Sequence, residues 1–284
     1  MNDYVALLGT KGGPAIRTGS TMPTSSLLSL AGRSIVVDCG LGVARGLVDQ
    51  GVALKDLSTI FVTHLHSDHY LELGPLLHTA WTAGLSTPVE IWGPAGLERY
   101  WEHFLLSMKD DIELRIEDEG RPDLRALVSV QRIEEGEVTQ VGPVEIHALR
   151  VDHPPLVDCF ALSFAAVGKR VVFSGDTAYF PPLIEFARGA DLLIHEAMLG
   201  EALEALAERV GNGDDRLMTH LKRSHTLAAD AAKLASEAGL GALALHHLLP
   251  SDDPGFSSAD WDAAIRPHWS GPFFLGEDGL KISF

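Results

Sequence analysis

The sequence has few cysteines: Cys39 and Cys159 are the two thiols among 284 residues, and they lie far apart in the chain. Two distant cysteines cannot form the dense disulfide framework that stabilises small secreted proteins. A hydrophobic core must stabilise the chain instead, and 46% apolar residues are sufficient to form one. We therefore expect both cysteines to be reduced and buried.

Basic residues are also scarce, with 22 Lys and Arg against 39 Asp and Glu, so the formal net charge is −17. A negative field of this size repels a phosphate backbone, which argues against a general nucleic-acid-binding protein. Two bound divalent cations would offset about four of these charges locally and admit a small anionic substrate. We therefore expect a small-molecule substrate and do not expect nucleic acid as a partner.

Long apolar runs are absent from the sequence. No stretch approaches the roughly 18 apolar residues that cross a membrane, and the segment Met1–Val5 contains no basic residues of the kind that open a secretory signal. Internal repeats, low-complexity tracts and linkers are absent as well. We expect a cytoplasmic protein without a membrane partner, folded as a single domain over residues 1–284.

Four potential metal ligands are concentrated within six residues after the short apolar run 59–62. They are His64, His66, Asp68 and His69. Isolated histidines usually lie on the surface or make satisfied contacts in the core, but three with an aspartate at this density would be costly to bury without a partner. Because alternate side chains of an extended segment share one side, His64 and His66 can bind one ion while Asp68 and His69 reach a second. The segment predicts a two-metal site.

Three later residues repeat this placement beside apolar strands. Pro154 ends a strand just after His153, Asp176 follows the apolar run 170–173 beside a glycine, and the run 242–245 leads to His246-His247. The two adjacent imidazoles point to opposite sides of a strand, so one of them should ligate.

Predicted strands and helices alternate in two halves, which favours an α/β class and an αββα four-layer sandwich. Helices are predicted over residues 43–50, 70–83, 96–109, 226–238 and 258–266. The acidic stretch 110–123 is typical of a solvated face and less often of a lid. No role is assigned to residues 199–223.

The pattern H-x-H-x-D-H after a strand, together with the later ligands, resembles the metallo-β-lactamase superfamily over nearly the whole chain. The resemblance implies a dinuclear zinc centre, for which manganese or iron is also acceptable, and it favours His247 over His246. Of the implied ligands, one zinc would be held by His64, His66 and His153, the other by Asp68, His69 and His247, and Asp176 would bridge them.

Four short segments are similar to the ribonuclease Z and arylsulfatase-like branch of that superfamily: Leu8-Gly9-Thr10, Asp38-Cys39-Gly40, His195-Glu196-Ala197 and Ser224-His225-Thr226. This resemblance implies that Glu196 orients and charge-stabilises His225, which then donates a proton to the leaving group. Without it, an isolated histidine before a helix would be interpreted as a surface residue. For Asp38, both partnership with a ligand histidine and capping of a turn stay open.

Two departures from that branch argue against tRNA processing. The tRNA endonucleases carry a long substrate-binding arm between the third histidine and the bridging aspartate, whereas His153 and Asp176 are 176 − 153 = 23 positions apart. Leu41 also stands where those enzymes usually have Glu.

The resulting hypothesis is a hydrolase in which a metal-bridged hydroxide, its pKa lowered from about 16 toward 7, attacks a small-molecule phosphodiester, sulfate ester, carboxylic ester or lactone. Asp68 would ligate a metal and accept the proton. The alternatives are a hydrolytic dehalogenase or organophosphate hydrolase, a tRNA 3′-processing endonuclease, and a non-catalytic metal-bearing binding protein. Many relatives are dimers, which makes a homodimer compatible with the resemblance.

Overall fold

The computed structural model describes residues 3–284, and over these residues the strands form two sheets of seven strands each. The strands are β1 (Tyr4–Gly9), β2 (Ser25–Leu30), β3 (Arg33–Cys39), β4 (Thr59–Phe61), β5 (Val89–Gly93), β6 (Val128–Arg132), β7 (Gly136–Val141), β8 (Val144–Arg150), β9 (Phe160–Ala166), β10 (Lys169–Phe173), β11 (Leu192–Met198), β12 (Leu243–Leu249), β13 (Phe273–Leu275) and β14 (Lys281–Ser283). The first sheet has the order β14-β1-β2-β3-β4-β5-β6 and the second β13-β12-β11-β10-β9-β8-β7.

Helices cover the outer faces of both sheets. They are α1 (Val43–Asp49), α2 (Ser67–Tyr70), α3 (Leu73–Thr82), α4 (Leu97–Ser107), α5 (Lys109–Glu119), α6 (Leu124–Leu127), α7 (Pro182–Ala187), α8 (Leu203–Val210), α9 (Arg216–Ser224), α10 (Ala228–Ala238) and α11 (Ser258–Ile265). One core joins α1, α3 and α4 to the first sheet, and another joins α7, α10 and α11 to the second.

A third core lies between the two sheets and defines the central layers. Phe61 of the first sheet meets Phe164 of the second in an edge-to-face contact with ring centroids 5.3 Å apart, and Phe164 meets Phe173 in the same way at 5.9 Å. Sheets facing each other across such a core, with helices outside, confirm the predicted α/β class and αββα sandwich.

The direction of the strands explains where the site lies. Strands β3 to β6 run parallel in the first sheet, and β10 to β13 run parallel in the second. A backbone hydrogen bond of 3.1 Å from Phe160 N–H to the Thr63 carbonyl joins the two sheets just after β4. The segments that follow β4 and β10 therefore meet at one edge of the sandwich.

Two predicted elements differ from the observed ones. Of the helix predicted over 70–83, residues 73–82 form α3, which begins late and has Gly74-Pro75 in its first turn, while Tyr70 ends the separate turn α2. The sequence favours a strand over residues 126–133, but its first two residues belong to the short helix α6, since Asp123 caps that turn by accepting a hydrogen bond from the Arg125 N–H.

The acidic stretch 110–123 forms most of α5. Asp111 and Glu119 pair with Arg115 one turn away in either direction, and Ile112 is buried. This is the solvated face that the sequence favoured over a lid. Cys39 and Cys159 are free and buried, as expected. In the described part of the chain, no helix is long and apolar enough to span a membrane.

Candidate metal centre

The structure brings the seven predicted metal ligands together at this edge. His64, His66, His153 and Asp176 form one group, and Asp68, His69 and His247 form another, with the ligand atoms of each group within 4.8 Å of one another. All are buried except His66, which is partly exposed.

Asp176 lies between the two groups. Its Oδ2 is 3.6 Å from His64 Nε2 and 3.9 Å from His153 Nε2 in the first group. The same oxygen is 3.4 Å from His69 Nε2 and 3.0 Å from His247 Nε2 in the second. One carboxylate within reach of both groups has the placement of a bridging ligand.

A local change of backbone conformation separates the first ligands. His66 is extended, with φ −86° and ψ 141°, and precedes the single helical turn of α2, which carries Asp68 and His69. Extended backbone therefore presents His64 and His66 on one side, and the turn directs Asp68 and His69 toward the second group.

His247 reaches the site through a β-bulge, and not at a strand end as the sequence suggested. In the pairing of β11 with β12, Glu196 lies opposite His246 and Ala197 opposite Leu248, so His247 has no partner and adopts φ +46°. Such an extra residue re-aims its side chain. His246 turns instead toward Phe173, with ring centroids 6.4 Å apart, and burial lowers its pKa to about 3.

Hydrogen bonds to other groups hold the ligand imidazoles in place. Asp38 Oδ2 accepts from His69 Nδ1 at 2.8 Å, and Asp38 Oδ1 accepts from the Thr63 N–H at 2.8 Å. Of the two roles left open for Asp38, the structure favours partnership with His69, a predicted ligand. His153 Nδ1 donates to the Ser224 carbonyl at 2.7 Å. Each bond fixes one ring nitrogen and directs the other into the site.

The unpartnered atoms fit divalent cations. Within residues 3–284, His64 Nε2 and His69 Nε2 are buried without a hydrogen-bond partner, although both face Asp176. Burial alone would raise the pKa of Asp68, but His69 and His247 hold it well below its usual range, so this carboxylate stays ionised. Imidazole nitrogens and ionised carboxylates are the ligands that zinc prefers, and manganese and iron accept them as well.

Glu196 and His225 form a buried pair beside the metal ligands. Glu196 Oε1 accepts from His225 Nδ1 at 3.0 Å and from the Thr177 N–H at 2.9 Å. Burial lowers the pKa of His225, but the nearby carboxylates of Glu196, Asp176 and Asp68 together raise it to about 9. The His225 ring stacks on His247 with centroids 5.4 Å apart, so His225 lies next to the metal ligands.

A cavity of about 460 Å³ opens beside the centre. His66, Asp68, Asp176, His225 and His247 line it. Part of its lining is apolar and comes mainly from α8 and α9, so residues 199–223, for which the sequence assigned no role, form an apolar wall of the cavity. This wall includes Leu206, Val210, Leu217, Leu221 and Leu249.

Two residues of the site were not recognised in the sequence. The Gly13 N–H donates to Asp68 Oδ2 at 2.7 Å, and Lys11 lines the cavity. His220, which the sequence offered as a candidate for the cleft wall, lines the cavity too, and its ring lies 6.1 Å from those of His66 and His153. The segment Lys11-Gly12-Gly13-Pro14 predicts a glycine turn and gives no indication of a site. Its paired glycines were the available signal, because glycine permits the φ of +82° at Gly13 and the close approach of Gly12 to His247.

Comparison with known proteins gives consistent matches. The family model for anti-Pycsar protein Apyc1 matches residues 5–211. A protein named ribonuclease Z from Mycobacterium sp. (strain KMS) is 32% identical over 282 residues, which are 98% of this chain and 95% of the relative.

Two solved structures support the fold. The metallo-β-lactamase fold protein YhfI from Bacillus subtilis superposes with a TM-score of 0.74 at 22% identity and covers 100% of both chains. The short form of human tRNase Z superposes with a TM-score of 0.67 at 22% identity, over 99% of this chain and 98% of its own. Since ribonuclease names recur among these proteins, the comparisons do not support the expectation that excluded nucleic acid.

Proposed function

The chain belongs to the anti-Pycsar protein Apyc1 family and is a ribonuclease Z-like, metal-dependent hydrolase of the metallo-β-lactamase superfamily, and from this premise we propose that it is a dinuclear phosphodiesterase for small molecules. The two metals are proposed to be zinc. His64, His66 and His153 would hold one and Asp68, His69 and His247 the other, with Asp176 between them.

The observation that carries the proposal is the position of Asp176 Oδ2, within 3.0–3.9 Å of imidazoles in both ligand groups. A site with two metals supports displacement at phosphorus, because it can stabilise both the attacking and the leaving oxygen. The name of the mycobacterial relative also refers to cleavage of the phosphodiester bonds of RNA.

When bound, divalent metal ions supply a water of lowered pKa and Lewis-acid stabilisation of the developing charge. The residues of the chain supply the proton transfers. Asp68, whose Oδ2 accepts from the Gly13 N–H, would accept a proton from the attacking water. Glu196 occupies His225 Nδ1, which leaves Nε2 to protonate the departing alcohol oxygen. The products would be a phosphomonoester and an alcohol.

Size and charge favour a small substrate over RNA. The cavity of about 460 Å³ is in the range of small-molecule sites, and the apolar wall from α8 and α9 suits an organic group of the ester. The interval between His153 and Asp176 contains a β-hairpin, β9 and β10, joined by the short turn at Val167-Gly168. The net charge of −17 opposes the approach of a polyanion.

A substrate panel tests this proposal. Zinc-loaded protein would be assayed with bis(p-nitrophenyl) phosphate, p-nitrophenyl sulfate, p-nitrophenyl acetate and a tRNA precursor with a 3′ extension. We expect the phosphodiester to be the best small substrate and to exceed the tRNA in kcat/KM. Faster cleavage of the tRNA, or no phosphodiester turnover, would refute the proposal.

Elemental analysis tests the metal assignment. We expect two zinc ions per chain in the wild type, and fewer in Asp176→Ala. The control is His103→Ala, since His103 is an exposed histidine on α4 far from the ligand set in sequence. An unchanged metal content in Asp176→Ala would contradict the bridging role.

A further inference from the structure

Lys11 is a buried cation at the edge of the cavity. It follows β1, and its backbone N–H donates to the Met22 carbonyl at 2.9 Å. The residue is only 5% exposed, and its Nζ donates one hydrogen bond, to the Gly12 carbonyl at 2.9 Å. An ammonium carries three donors, so this bond leaves two of them for other partners.

The charged groups around Lys11 do not neutralise it. Among residues 3–284, no carboxylate oxygen lies within 4.0 Å of its Nζ. Asp252 pairs instead with Arg17 at 3.5 Å and with Arg209 at 2.9 Å. A buried charge without a counterion is costly, because burial removes its hydration and no ion pair replaces it.

The other nearby carboxylate, Asp68, is engaged as well. Its Oδ2 accepts from the Gly13 N–H at 2.7 Å and lies 3.2 Å from His247 Nε2. Both carboxylates line the same cavity as Lys11. Burial lowers the pKa of Lys11, and the charges of Asp252 and Asp68 oppose that effect.

We propose that Lys11 binds an anionic oxygen of the substrate inside this cavity, so that the site selects phosphodiester anions over neutral esters, lactones and phosphotriesters. This inference rests on the proposed function. The substrate supplies the counterion that Lys11 lacks in the folded protein. The ammonium binds the charged phosphate of a small phosphodiester, and the apolar wall binds its organic group.

Binding of inorganic phosphate tests the proposal without turnover. Calorimetry on zinc-loaded protein would compare the wild type with Lys11→Met, Lys11→Arg and the control Lys55→Gln, whose lysine is exposed outside the cavity. Because a bond between charged partners is lost, we expect Lys11→Met to bind phosphate about tenfold more weakly or worse, Lys11→Arg to retain much of the affinity, and Lys55→Gln to match the wild type. Equal affinity in Lys11→Met, or no phosphate binding by the wild type, would overturn the proposal.

Thermal melting of the metal-free proteins separates a binding role from a structural one. If Lys11 is kept for substrate, Lys11→Met removes an uncompensated buried charge, and its melting temperature should equal or exceed that of the wild type. A clearly lower melting temperature would show that Lys11 holds the fold and would overturn its assignment as an anion site.

The two proposals fail in different ways. Phosphate binding that depends on Lys11, without hydrolysis of bis(p-nitrophenyl) phosphate, would refute the reaction and keep the anion site. Hydrolysis with the same KM in Lys11→Met and wild type would refute the role of Lys11 and keep the reaction.

Discussion

At the scale of single residues, His225 is the group whose proposed role depends most on its surroundings. Its Nδ1 is held by Glu196, and its ring stacks on His247. We predict that His225→Ala lowers kcat by about 10²–10⁴-fold, the usual contribution of a general acid, and leaves the zinc content unchanged. Steady-state kinetics and elemental analysis of the same preparation measure both quantities.

A matched variant distinguishes proton donation from packing. Glu196→Gln preserves an acceptor for His225 Nδ1 but removes the charge that favours the imidazolium. It should lose part of the rate and keep its metal. Loss of zinc from His225→Ala would instead mean that His225 is a ligand, in the group that it forms with Asp176 and His247.

Asp38 provides a second prediction at this scale. It accepts from His69 Nδ1 and the Thr63 N–H, and it adopts φ +62°. Asparagine tolerates this conformation, so Asp38→Asn changes the charge with little change of backbone strain. We expect zinc affinity to fall about 10–100-fold, as for other partners of ligand histidines. Competition with a chromogenic chelator measures the zinc affinity. An unchanged affinity would mean that Asp38 only stabilises the turn.

The role of a single residue could be predicted where the groups that define it lie close together in the sequence. The density of ligands from His64 to His69 identifies a metal site without a structure. The role of Lys11 could not be predicted in this way, because it depends on Asp252 and Asp68. These two carboxylates come from distant parts of the chain and are already paired with other groups. His247 differs again: the resemblance selected it, but the bulge that turns it into the site is a property of the pairing of β11 with β12.

At the scale of elements, α5 is a charged helix that depends on few buried contacts. Ile112 is 1% exposed and packs into the core beneath the first sheet, while Leu114 on the same helix is 63% exposed. We predict that Ile112→Ala destabilises the protein by about 2–4 kcal/mol through the cavity that it leaves. Leu114→Ala should change stability by no more than about 0.5 kcal/mol.

Urea unfolding monitored by circular dichroism measures both variants. Both substitutions lie on α5 and introduce Ala, so the change in helix propensity is similar in the two variants and largely cancels when their stabilities are compared. Similar losses in the two variants would mean that α5 is stabilised by its own ion pairs, such as Arg115 with Asp111 and Glu119, and not by docking.

The elements also show what periodicity can and cannot reveal. Short apolar runs predicted strands, and the acidic composition of 110–123 predicted a solvated face. The same reasoning gave no role to residues 199–223, since the apolar residues of α8 and α9 line a cavity only when the two helices lie near the metal ligands. Their function follows from tertiary placement, which no local pattern contains.

At the scale of the whole molecule, the fold was predictable because two alternating halves have few arrangements that bury both sheets. The same arrangement divides the ligands. His64, His66, Asp68 and His69 follow a strand of the first sheet, whereas His153, Asp176 and His247 belong to segments of the second. Bound metal would therefore connect the two halves of the sandwich as well as supply chemistry.

Removal of metal should consequently lower the stability of the whole molecule. Free zinc at 100 times its dissociation constant would stabilise the folded state by about 2.7 kcal/mol per site, because the unfolded chain does not hold the ligands together. For a protein of this size we expect the melting temperature to fall by about 5–10 °C in chelator, and zinc to restore it. His103→Ala should respond in the same way. Asp176→Ala should respond little, because its two ligand groups no longer share an anion, and a full zinc response in that variant would show that each ligand group binds its metal without Asp176.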